Sequence, residues 1–592
     1  MSMRTVVIAL TAFVITPCFA RIIIVDDNGP ADFNNIQAAI NDANSGDTII
    51  VQTGTYTGPG NRDIDFLGKS ITVQSSDPND PNVVANTVID CQSDANNLHR
   101  GFKFISGEDI NSILSGLTIV NGCAPYENIF GDYNTYGGAV YCYGGNPIIK
   151  NCIMKNNSAS RGGAVYCGLS SAIIKDSNFM NNTASYHGGA IFCRQSQVFI
   201  SNSFFQSNIA NSYGGAIYSN EGQDEIRECN VLSNQGKYGA GIASNNGETK
   251  IIDCTILNNN GDWGGGIFCY SLAGVLNSPL IQGCLISNNC GYTRGGGIFI
   301  GNNAITKDCI ITYNQGLNGG GVNFVYSSGP IMINCIISSN GVLPPGPPAQ
   351  FGGCGIQIQS GSRARISNCT ISNNNMPLPG AGIRVVFGAS PVVENCIIWG
   401  NIYAGRTDLI GSQICLNTSP ATITLLYNDI EGGIENISLE YGGSIGLEVG
   451  TIDVDPCFAD PCNLDFHLQS SAGRWDANSQ IWVQDQNTSF CIDAGNPGRP
   501  FFDEPNDSNN VRIDMGAYGG TSQSSKTPSD WRSLADLTND WQIDIYDFNI
   551  LASNWLSTGC CFPGDLNRDQ FVDFRDFAVF ASKYYETYPA EP

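Results

Sequence analysis

Apolar and polar positions alternate in short runs along this chain, and the runs recur with a period of about 26 residues between about residue 116 and residue 401. Within each copy the apolar residues lie two apart, as in Val140 and Cys142. Turns of the Gly-Gly-Ala-Val or Gly-Gly-Ala-Ile type precede them at 137–140, 162–165, 188–191 and 214–217. No long stretch has the 3.6-residue period of a helix, so the pattern predicts short β-strands joined by glycine corners.

A second motif in each copy places Asn five residues after a Cys or Ser. The pairs are Cys152 and Asn157, Ser177 and Asn182, Ser203 and Asn208, Cys229 and Asn234, Cys254 and Asn259, Cys284 and Asn289, Cys309 and Asn314, Cys335 and Asn340, Cys369 and Asn374, and Cys396 and Asn401. A fixed period of this length is typical of stacked units that bury a face only against their neighbours. If successive coils pair as parallel strands do, equivalent residues lie ~4.8 Å apart and the Asn side chains can hydrogen-bond along the column. The sequence therefore predicts a mainly β protein, a parallel β-helix solenoid.

The column of cysteines that runs from Cys229 to Cys396 is expected to point into this coil as small hydrophobic side chains. Neighbouring coils are close enough for some disulfides, which stay an alternative. No Cys-x-x-Cys spacing indicates zinc. Of the 23 cysteines, 22 follow the leader segment described below, and their pairing is left open.

Two resemblances support the solenoid. Residues 36–40 (Ile-Gln-Ala-Ala-Ile), followed by 46–51 and by Gly54-Thr55-Tyr56, resemble the capping helix and first coil of pectate-lyase-like proteins. That resemblance covers most of the chain and implies a right-handed parallel β-helix. The Gly-Gly-Ala-Ile repeats, preceded in one copy by Phe205 and Asn208, also resemble those of polymorphic outer membrane proteins, which implies a cell-surface adhesin.

Composition and the chain ends restrict the function. The net charge of -25 excludes nucleic acid as a partner, because phosphate binding needs a basic face, and it favours cations such as calcium. Arg4, an apolar run over 6–15 and Ala20 predict a signal peptide, so the protein is expected to be secreted or at the cell surface. Acylation of Cys18, as in a lipoprotein, is an alternative. The mature chain contains no predicted transmembrane segment.

The period fades after about residue 430, which divides the rest of the chain. The predicted divisions are a signal peptide (1–20), a β-helix with an N-terminal cap (21–450), a closing segment of the β-helix (451–520), a linker rich in Ser, Thr, Lys and Pro (521–533), and a small α-helical domain (534–586).

The small domain contains two matching segments 29 residues apart. Their oxygen-bearing positions predict two calcium loops, with ligands Asp536, Thr538, Asp540, Gln542, Asp544 and Asp547 in the first and Asp565, Asn567, Asp569, Phe571, Asp573 and Asp576 in the second. Position 7 of each loop would contribute a backbone carbonyl. Apolar helical stretches are predicted at 548–556 and 577–585. A solvated acidic tail is the alternative.

The duplicated EF-hand-like loops resemble type I dockerins, which implies that a cohesin-like or cell-surface protein is the partner of this domain. Two positions depart from the pattern. Position 6, usually Gly, is Trp541 and Gln570, which weakens the expectation of calcium affinity. Positions 10 and 11 are Ile545-Tyr546 and Phe574-Arg575 rather than small hydroxyl residues, which weakens the expectation of cohesin binding.

Outward-pointing residues supply the candidate ligand site. If Val140 and Cys142 point inward, the residue between them points outward, and this position is aromatic in many copies. A second column comes just before the glycine turns. The candidate ligand-binding residues from both columns are Tyr141, Tyr166, Phe192, Tyr218, Phe268, Trp263 and Arg384. Rings at this spacing suit an extended polysaccharide; the alternative is that they only stack on one another. Three long corners, after Asn121, Asn340 and Asn401, could wall a groove.

No catalytic residue can be assigned from the sequence. His99, His187 and His467 are each isolated. The only clusters expected near the stripe, Lys307-Asp308 and Arg363, Arg365 and Arg384, are weak candidates. Three functions stay open. The first is a calcium-binding protein that recognises polysaccharide or another extracellular ligand, with a dockerin-like attachment module. The second is a polysaccharide lyase or glycoside hydrolase acting on an acidic plant or algal glycan, and the third is an adhesin.

Overall fold

The computed structural model describes residues 20–94, 96–129, 131–272, 277–326, 329–341, 355–403, 410–501, 503–505, 509–529, 531–558, 564–567 and 571–585. The predicted signal peptide, apart from Ala20, lies outside these ranges. So do Cys560, Cys561, Asp569 and Gln570, and most of the long corner that follows Asn340.

The described part of the chain winds into a coil of stacked, parallel strands. A full coil contributes one strand to each of four sheets, as in Ile148–Lys150, Ile153–Lys155, Ser158–Arg161 and Val165–Gly168. Neighbouring coils pair in parallel and in register; for example, Tyr166 is paired with Phe192 and Phe192 with Tyr218. The predicted parallel β-helix is therefore confirmed.

Sheets 1 and 2 are the first two that the chain enters in each coil. Sheet 1 consists of Ile22–Val25, Thr48–Val51, Thr72–Ser75, Ile113–Ser115, Ile148–Lys150, Ile173–Lys175, Phe199–Ser201, Glu225–Arg227, Lys250–Ile252, Leu280–Gln282, Ile305–Lys307, Ile331–Ile333, Arg365–Ser367, Val392–Glu394, Thr422–Leu426 and Ser444–Val449. Sheet 2 consists of Gly54–Tyr56, Thr87–Asp90, Thr118–Val120, Ile153–Lys155, Asn178–Met180, Phe204–Gln206, Asn230–Leu232, Thr255–Leu257, Leu285–Ser287, Ile310–Thr312, Ile336–Ser338, Thr370–Ser372, Ile397–Trp399 and Asp429–Ile430.

Sheets 3 and 4 complete each coil. Sheet 3 is shorter and consists of Ser158–Arg161, Thr183–His187, Ile209–Tyr213, Gln235–Tyr238, Asn260–Trp263, Cys290–Arg294 and Gln315–Asn318. Sheet 4 consists of Ile64–Asp65, Phe102–Phe104, Val140–Tyr143, Val165–Gly168, Ile191–Arg194, Ile217–Asn220, Ile242–Asn245, Ile267–Tyr270, Ile298–Gly301, Val322–Val325, Ile356–Gln359, Ile383–Val386, Ile414–Asn417 and Ser438–Glu440.

Smaller elements decorate the coil. Two-strand pairs are Tyr126–Ile129 with Asp132–Thr135, Asn375–Met376 with Ile402–Tyr403, Phe458–Asp460 with Asp465–Leu468, and Arg474–Asp476 with Ile481–Val483. The helices are α1 (Ile36–Asp42), α2 (Pro81–Asn86), α3 (Ile545–Ser553) and α4 (Phe574–Lys583), with short 3-10 turns at Ile434–Asn436 and Pro461–Asn463. Helix α1 lies at the start of the coil, where the capping helix was predicted, and buries Ile36, Ala39 and Ile40.

The interior is a continuous apolar core. Alternation along each strand places Val140 and Cys142 in this core, while Tyr141 belongs to a separate cluster on the outer face. The cysteine column is buried and its thiols are free. Burial raises the pKa of the Cys309 thiol well above its usual value, so the thiol stays protonated and behaves as a small hydrophobic group.

Buried asparagines lock each coil to the next at the corner between sheets 2 and 3. From Asn157 to Asn374, each Nδ2 donates to the Oδ1 of the equivalent Asn one coil further on, at 2.9 to 3.1 Å. The same Oδ1 accepts the backbone N–H of the preceding Asn, as Asn259 does from Asn234. Asn401 ends this ladder by donating to Gln413 at 2.6 Å. The predicted Asn column is therefore a continuous hydrogen-bonded chain.

The closing segment packs along the side of the coil. Asn334 donates to the carbonyls of Ala517 and Gly519 at 3.0 and 2.7 Å. Arg499 forms an ion pair with Glu394 at 2.6 Å. These contacts join residues more than 100 positions apart, so the segment is part of the β-helix body.

Residues 521–533 do not form the free linker that their composition predicts. Ser524 and Ser525 are buried, and their hydroxyls donate to Glu504 at 3.0 Å and to the carbonyl of Leu468 at 2.5 Å. Arg532 is also buried and donates to the carbonyl of Phe490 at 3.1 Å. Small hydroxyl residues here satisfy polar groups of the closing segment, a role that composition alone cannot distinguish from that of a solvated linker.

We expect the Asn ladder to be a major source of stability. Replacing Asn259 by Ala leaves Asn234 without its acceptor inside the body, which should cost about 1 to 3 kcal/mol. Asn230→Ala, at an exposed position in the sheet 2 strand of the preceding coil, should change little. The midpoint of urea unfolding measures both, and equal midpoints for the two variants would contradict this role.

Candidate functional site

The predicted ring stripe lies on the outer face of sheet 4, but it is not exposed. Tyr141, Tyr166, Phe192, Tyr218 and Phe268 are between 0 and 6% exposed. Ring centroids along the stripe lie about one coil apart, 5.7 Å between Tyr141 and Tyr166 and 5.0 Å between Phe192 and Tyr218. The rings form a second apolar cluster, so alternation correctly predicts their side of the sheet but not their accessibility.

The column at the end of sheet 3 covers these rings. Tyr213 lies 5.2 Å from the ring of Tyr218, and Tyr238 lies 5.5 Å from that of Phe268. Trp263 packs at 5.2 Å from Phe299, and the guanidinium of Arg294 lies 4.5 Å above the indole. Two columns that appear separate in the sequence therefore form one layer of stacked rings.

Arg384 is not part of this layer. It occupies the same column four coils beyond Phe268, where the intervening residues are Phe299, Asn323 and Gln357. Its side chain is 2% exposed and donates to the carbonyl of Pro379. The structure therefore separates Arg384 from the other predicted ligand residues.

A shallow groove lies beside the ring layer, at the ends of four strands. Two of these strands are neighbours in sheet 3, and the other two are neighbours in sheet 4. The cavity of the groove has a volume of about 220 Å³. It is lined by Arg161, His187, Phe192, Arg194, Tyr218 and Asn220. Arg161 and His187 end strands of sheet 3, whereas Arg194 and Asn220 end strands of sheet 4. The groove thus has an aromatic floor and polar side walls.

Hydrogen bonds hold the walls of this groove in place. Arg161 donates to the hydroxyl of Tyr136 at 3.1 Å, and the hydroxyl of Tyr218 donates to Asn220 at 3.0 Å. His187 packs its ring 5.2 Å from Tyr218 and 5.4 Å from Tyr213. Burial raises the pKa of Tyr218, so its phenol stays neutral and available for hydrogen bonding.

The first long corner borders the start of the ring layer. It folds into the hairpin Tyr126–Ile129 and Asp132–Thr135, whose rings Tyr126 and Tyr133 stack at 5.1 Å and are exposed. Glu127 in this hairpin pairs at 3.1 Å with Arg100, which is fully buried and lies 4.5 Å above the ring of Tyr141. Arg100 and Arg194 did not enter the predicted site, because neither precedes a glycine turn nor occupies the outward position in the middle of a strand.

A larger cleft lies between the coil and the closing segment. Its volume is about 800 Å³, and its lining includes Lys307, Asp308, Ile310, Ile336, Asn334, Asp503, Tyr518 and Gln523. Lys307 lies 3.6 Å from Asp308, and burial raises the pKa of that carboxyl. Lys307 ends a strand of sheet 1, so this cluster is not near the ring layer on sheet 4, contrary to the expectation.

The three histidines of the chain all have partners. His467 is buried beside the cleft, with Nδ1 2.6 Å from Asp465 and Nε2 3.3 Å from Gln523, and its ring stacks on Tyr518 at 3.5 Å. Burial alone would raise the pKa of Asp465. The hydrogen bond from His467 opposes burial, and the pKa of Asp465 is lowered. His99 contacts Asp63 at 2.6 Å. His187 alone lines the groove.

The two C-terminal loops close in the same way. Asp547 accepts the backbone N–H groups of Thr538 and Asp544 at 2.8 and 2.9 Å, and Asp576 accepts those of Asn567 and Asp573 at 3.0 and 2.8 Å. Asp544 and Asp573 cap α3 and α4, so both helices begin three residues before the predicted starts. The last acidic position of each loop therefore lies inside its helix.

Like charges are crowded in the first loop. Burial, with added repulsion from Asp536, raises the pKa of Asp547 to about 6. Burial also raises the pKa of Asp536. The positive charges of Arg532 and Arg512 act to lower this pKa, and the negative charge of Asp540 acts to raise it further. Carboxylates that destabilise one another in this way suit a hard cation. In the ranges that the structure describes, however, no three His, Cys, Asp or Glu side chains converge on a metal position.

Position 6 of the first loop explains how this domain contacts the rest of the chain. Trp541 has φ of 65° yet is 6% exposed, with Arg532 3.9 Å above its ring and Phe490 at 4.9 Å. Arg512 donates to the carbonyl of Asp536 at 2.7 Å and also to Asn539. The loop thus packs against the closing segment through the side chain of Trp541, at a position that is Gly in most such loops.

Comparisons with known proteins support the fold. Residues 138–300 and 277–430 match the family described as Right handed beta helix region, and residues 427–495 match the family described as Disaggregatase related. With the parallel register, the first match confirms a right-handed β-helix. Comparison with curated proteins finds no match.

Comparison with solved structures finds matches of low similarity, among them a tailspike protein and a pectate lyase. Dettilon tailspike protein is 12% identical with a TM-score of 0.27, over 61% of this chain and 61% of the tailspike chain. The chain therefore spans less than two thirds of that protein. Pectate lyase Pel9A is 13% identical with a TM-score of 0.23, over 84% of this chain and 96% of the lyase. Separately, none of the helices in the described ranges has the length and apolar character needed to cross a membrane.

The burial of the ring layer predicts that its central rings are structural. Tyr166→Ala removes a fully buried ring and should cost about 3 to 5 kcal/mol, as large core truncations do. Tyr186→Ala, at a ring that is exposed on sheet 3, should stay within about 0.5 kcal/mol of wild type. Thermal unfolding compares them, and a Tyr166 variant as stable as wild type would contradict the structural role.

Proposed function

We propose that the protein is an extracellular β-helix that binds an acidic polysaccharide in the groove between Arg161 and Arg194. The observation that carries this proposal is the composition of the groove: two guanidinium groups and one imidazole surround an aromatic floor. The two guanidinium groups stand out because the whole chain has a net charge of -25.

Each part of the groove matches one feature of such a ligand. Phe192 and Tyr218 form the floor of the groove, and although they are only 3 and 5% exposed, their outer edges can contact the apolar face of a sugar ring, as aromatic residues do in binding sites. Arg161 and Arg194 can hold a carboxylate with paired hydrogen bonds, which Arg forms better than Lys. Asn220 adds a polar group for sugar hydroxyls.

The groove favours binding over hydrolysis. None of its lining residues is an Asp or Glu, whereas glycoside hydrolysis commonly needs two carboxyl groups flanking the scissile bond. The larger cleft favours the enzymatic alternative, since Asp308 and Asp503 both line it and burial raises the pKa of Asp308. Release of reducing or unsaturated ends from an acidic glycan by the wild-type protein would establish that alternative.

The proposal includes a calcium-dependent role for the C-terminal domain. Asp536, Thr538, Asp540, Gln542, Asp544 and Asp547 would hold calcium in the first loop, and Asp565, Asn567, Phe571, Asp573 and Asp576, with Asp569, in the second. The repeated closure of both loops and the charge crowding around Asp536 support this assignment. The ion would supply the countercharge for these carboxylates.

The dockerin resemblance adds an attachment role to this domain. A cohesin-like or cell-surface protein would bind helices α3 and α4, whose first turns present Tyr546 and Phe574 to solvent. Trp541 is committed to the closing segment, so the partner would contact the opposite, exposed side of the domain.

The groove predicts a charge-dependent affinity for acidic glycans. Arg161→Ala with Arg194→Ala should weaken binding to polygalacturonate or alginate at least tenfold, because both guanidinium groups would contact carboxylates. Arg227→Ala removes one guanidinium group from sheet 1, where Arg227 pairs with Glu225 at 3.0 Å, and should bind as wild type does. Affinity electrophoresis measures the effect. Retardation of the double variant equal to that of wild type would refute the groove assignment.

The calcium loops predict binding of two ions by the full chain. Asp547→Asn with Asp576→Asn removes the last acidic ligand of each loop and should abolish both binding events in isothermal titration calorimetry. Asp253→Asn removes an exposed carboxylate from the β-helix and should leave the two events intact. Fewer than two ions bound by wild type, or two bound by the double variant, would contradict the assignment.

A further inference from the structure

A column of five residues follows the last strands of sheet 4, and we name it the corner ladder. Its members are Tyr326, Ser360, Phe387, Thr418 and Tyr441, each of which comes directly after a sheet 4 strand. The register of these strands places the five residues in consecutive coils. Aromatic residues therefore occupy every second coil, and a hydroxyl residue lies in each coil between them.

The three rings of the ladder are exposed. Tyr326, Phe387 and Tyr441 are 66, 45 and 78% exposed. This separates them from the ring layer on the same sheet, whose members are buried. Exposed rings in a row contribute little to the core, so their presence needs another explanation.

The backbone at these positions disfavours large side chains. Tyr326, Phe387 and Tyr441 have φ of 51°, 53° and 50°, in the left-handed region that suits Gly and Asn. Earlier coils place Gly144, Leu169, Gln195, Glu221 and Asn246 at the same position, with φ between 50° and 72°. The left-handed backbone is therefore a feature of this corner in successive coils, and the turn does not require an aromatic residue.

We propose that the corner ladder is a second binding site, for an extended, neutral, β-linked polysaccharide that runs along the helix axis. Coils that are ~4.8 Å apart place the rings roughly 9.6 Å apart, so one sugar spans one coil. Alternate sugars of an extended β-linked chain present the same face to one side. Each ring can then stack on a sugar face of the same orientation.

The hydroxyl residues and the absence of charge define the ligand further. The Oγ1 of Thr418 accepts the backbone N–H of Phe387 at 2.7 Å, which leaves its hydroxyl hydrogen for a ligand. None of the five ladder positions carries a charge, which matches a neutral chain better than the acidic one proposed for the groove. The ladder begins four coils beyond Asn220 of the groove, so this site does not depend on the groove proposal.

Asparagine substitutions test the ladder without damaging the fold. The variant Tyr326→Asn, Phe387→Asn and Tyr441→Asn removes the rings but keeps residues that accept the left-handed backbone. The probes are soluble β-1,4-xylan, β-1,4-glucomannan and mixed-linkage β-glucan in affinity electrophoresis. We expect wild type to bind at least one probe, and the triple variant to bind it at least tenfold more weakly with an equal or higher melting temperature.

Two controls make the result specific. Tyr313→Asn changes an exposed ring with φ of 54° at a different corner, so it should keep wild-type binding. The Arg161 and Arg194 double variant should also keep it, since the ladder lies apart from the groove. The proposal is overturned if wild type binds none of the three probes or if the triple variant binds as wild type does. It is also overturned if either control variant loses as much affinity as the triple variant.

Discussion

The hydrogen-bonded column of buried asparagines is the constraint on which the rest of this structure depends. Each Asn side chain satisfies both the backbone N–H of one neighbour and the Nδ2 of the same neighbour, so a shift of one residue in any coil would leave polar groups unpaired in the core. Gln413 continues the column where the repeat becomes irregular, because its carbonyl oxygen takes the place of the next Asn. The column therefore holds the coils from Asn157 to Asn401 in register.

Because the register is fixed, residues at the same outward position in successive coils form a strip along the helix axis. Where rings occupy such a strip and a second strip covers them, as on sheet 4, they become a second core. Where the strip lies at a corner, as at Tyr326, Phe387 and Tyr441, the rings are 45 to 78% exposed. The same repeat thus produces a structural ring layer and a row of separated rings, and the surface is suited to long ligands more than to small ones.

Much of the fold could be predicted because its determinants repeat. The Gly turns and the Asn column are visible by spacing alone, and both have the predicted role. Exposure could not be predicted for Tyr166 or Phe192, since it depends on how closely sheet 3 approaches sheet 4. Lys307 was placed near the ring layer by its position in the repeat, although its strand belongs to sheet 1. From the sequence, Trp541 is only a departure from the Gly that is usual in a calcium loop. Its contacts with Arg532 and Phe490 depend on the folded structure and could not be predicted.

A crystal structure of the protein with an oligogalacturonide tests the account most directly. The account predicts sugar rings over Phe192 and Tyr218, along the helix axis, with a carboxylate within hydrogen-bonding distance of Arg161 or Arg194. Sugar bound only in the cleft beside Lys307 and Asp308, or no sugar at a concentration that saturates binding in solution, would contradict it.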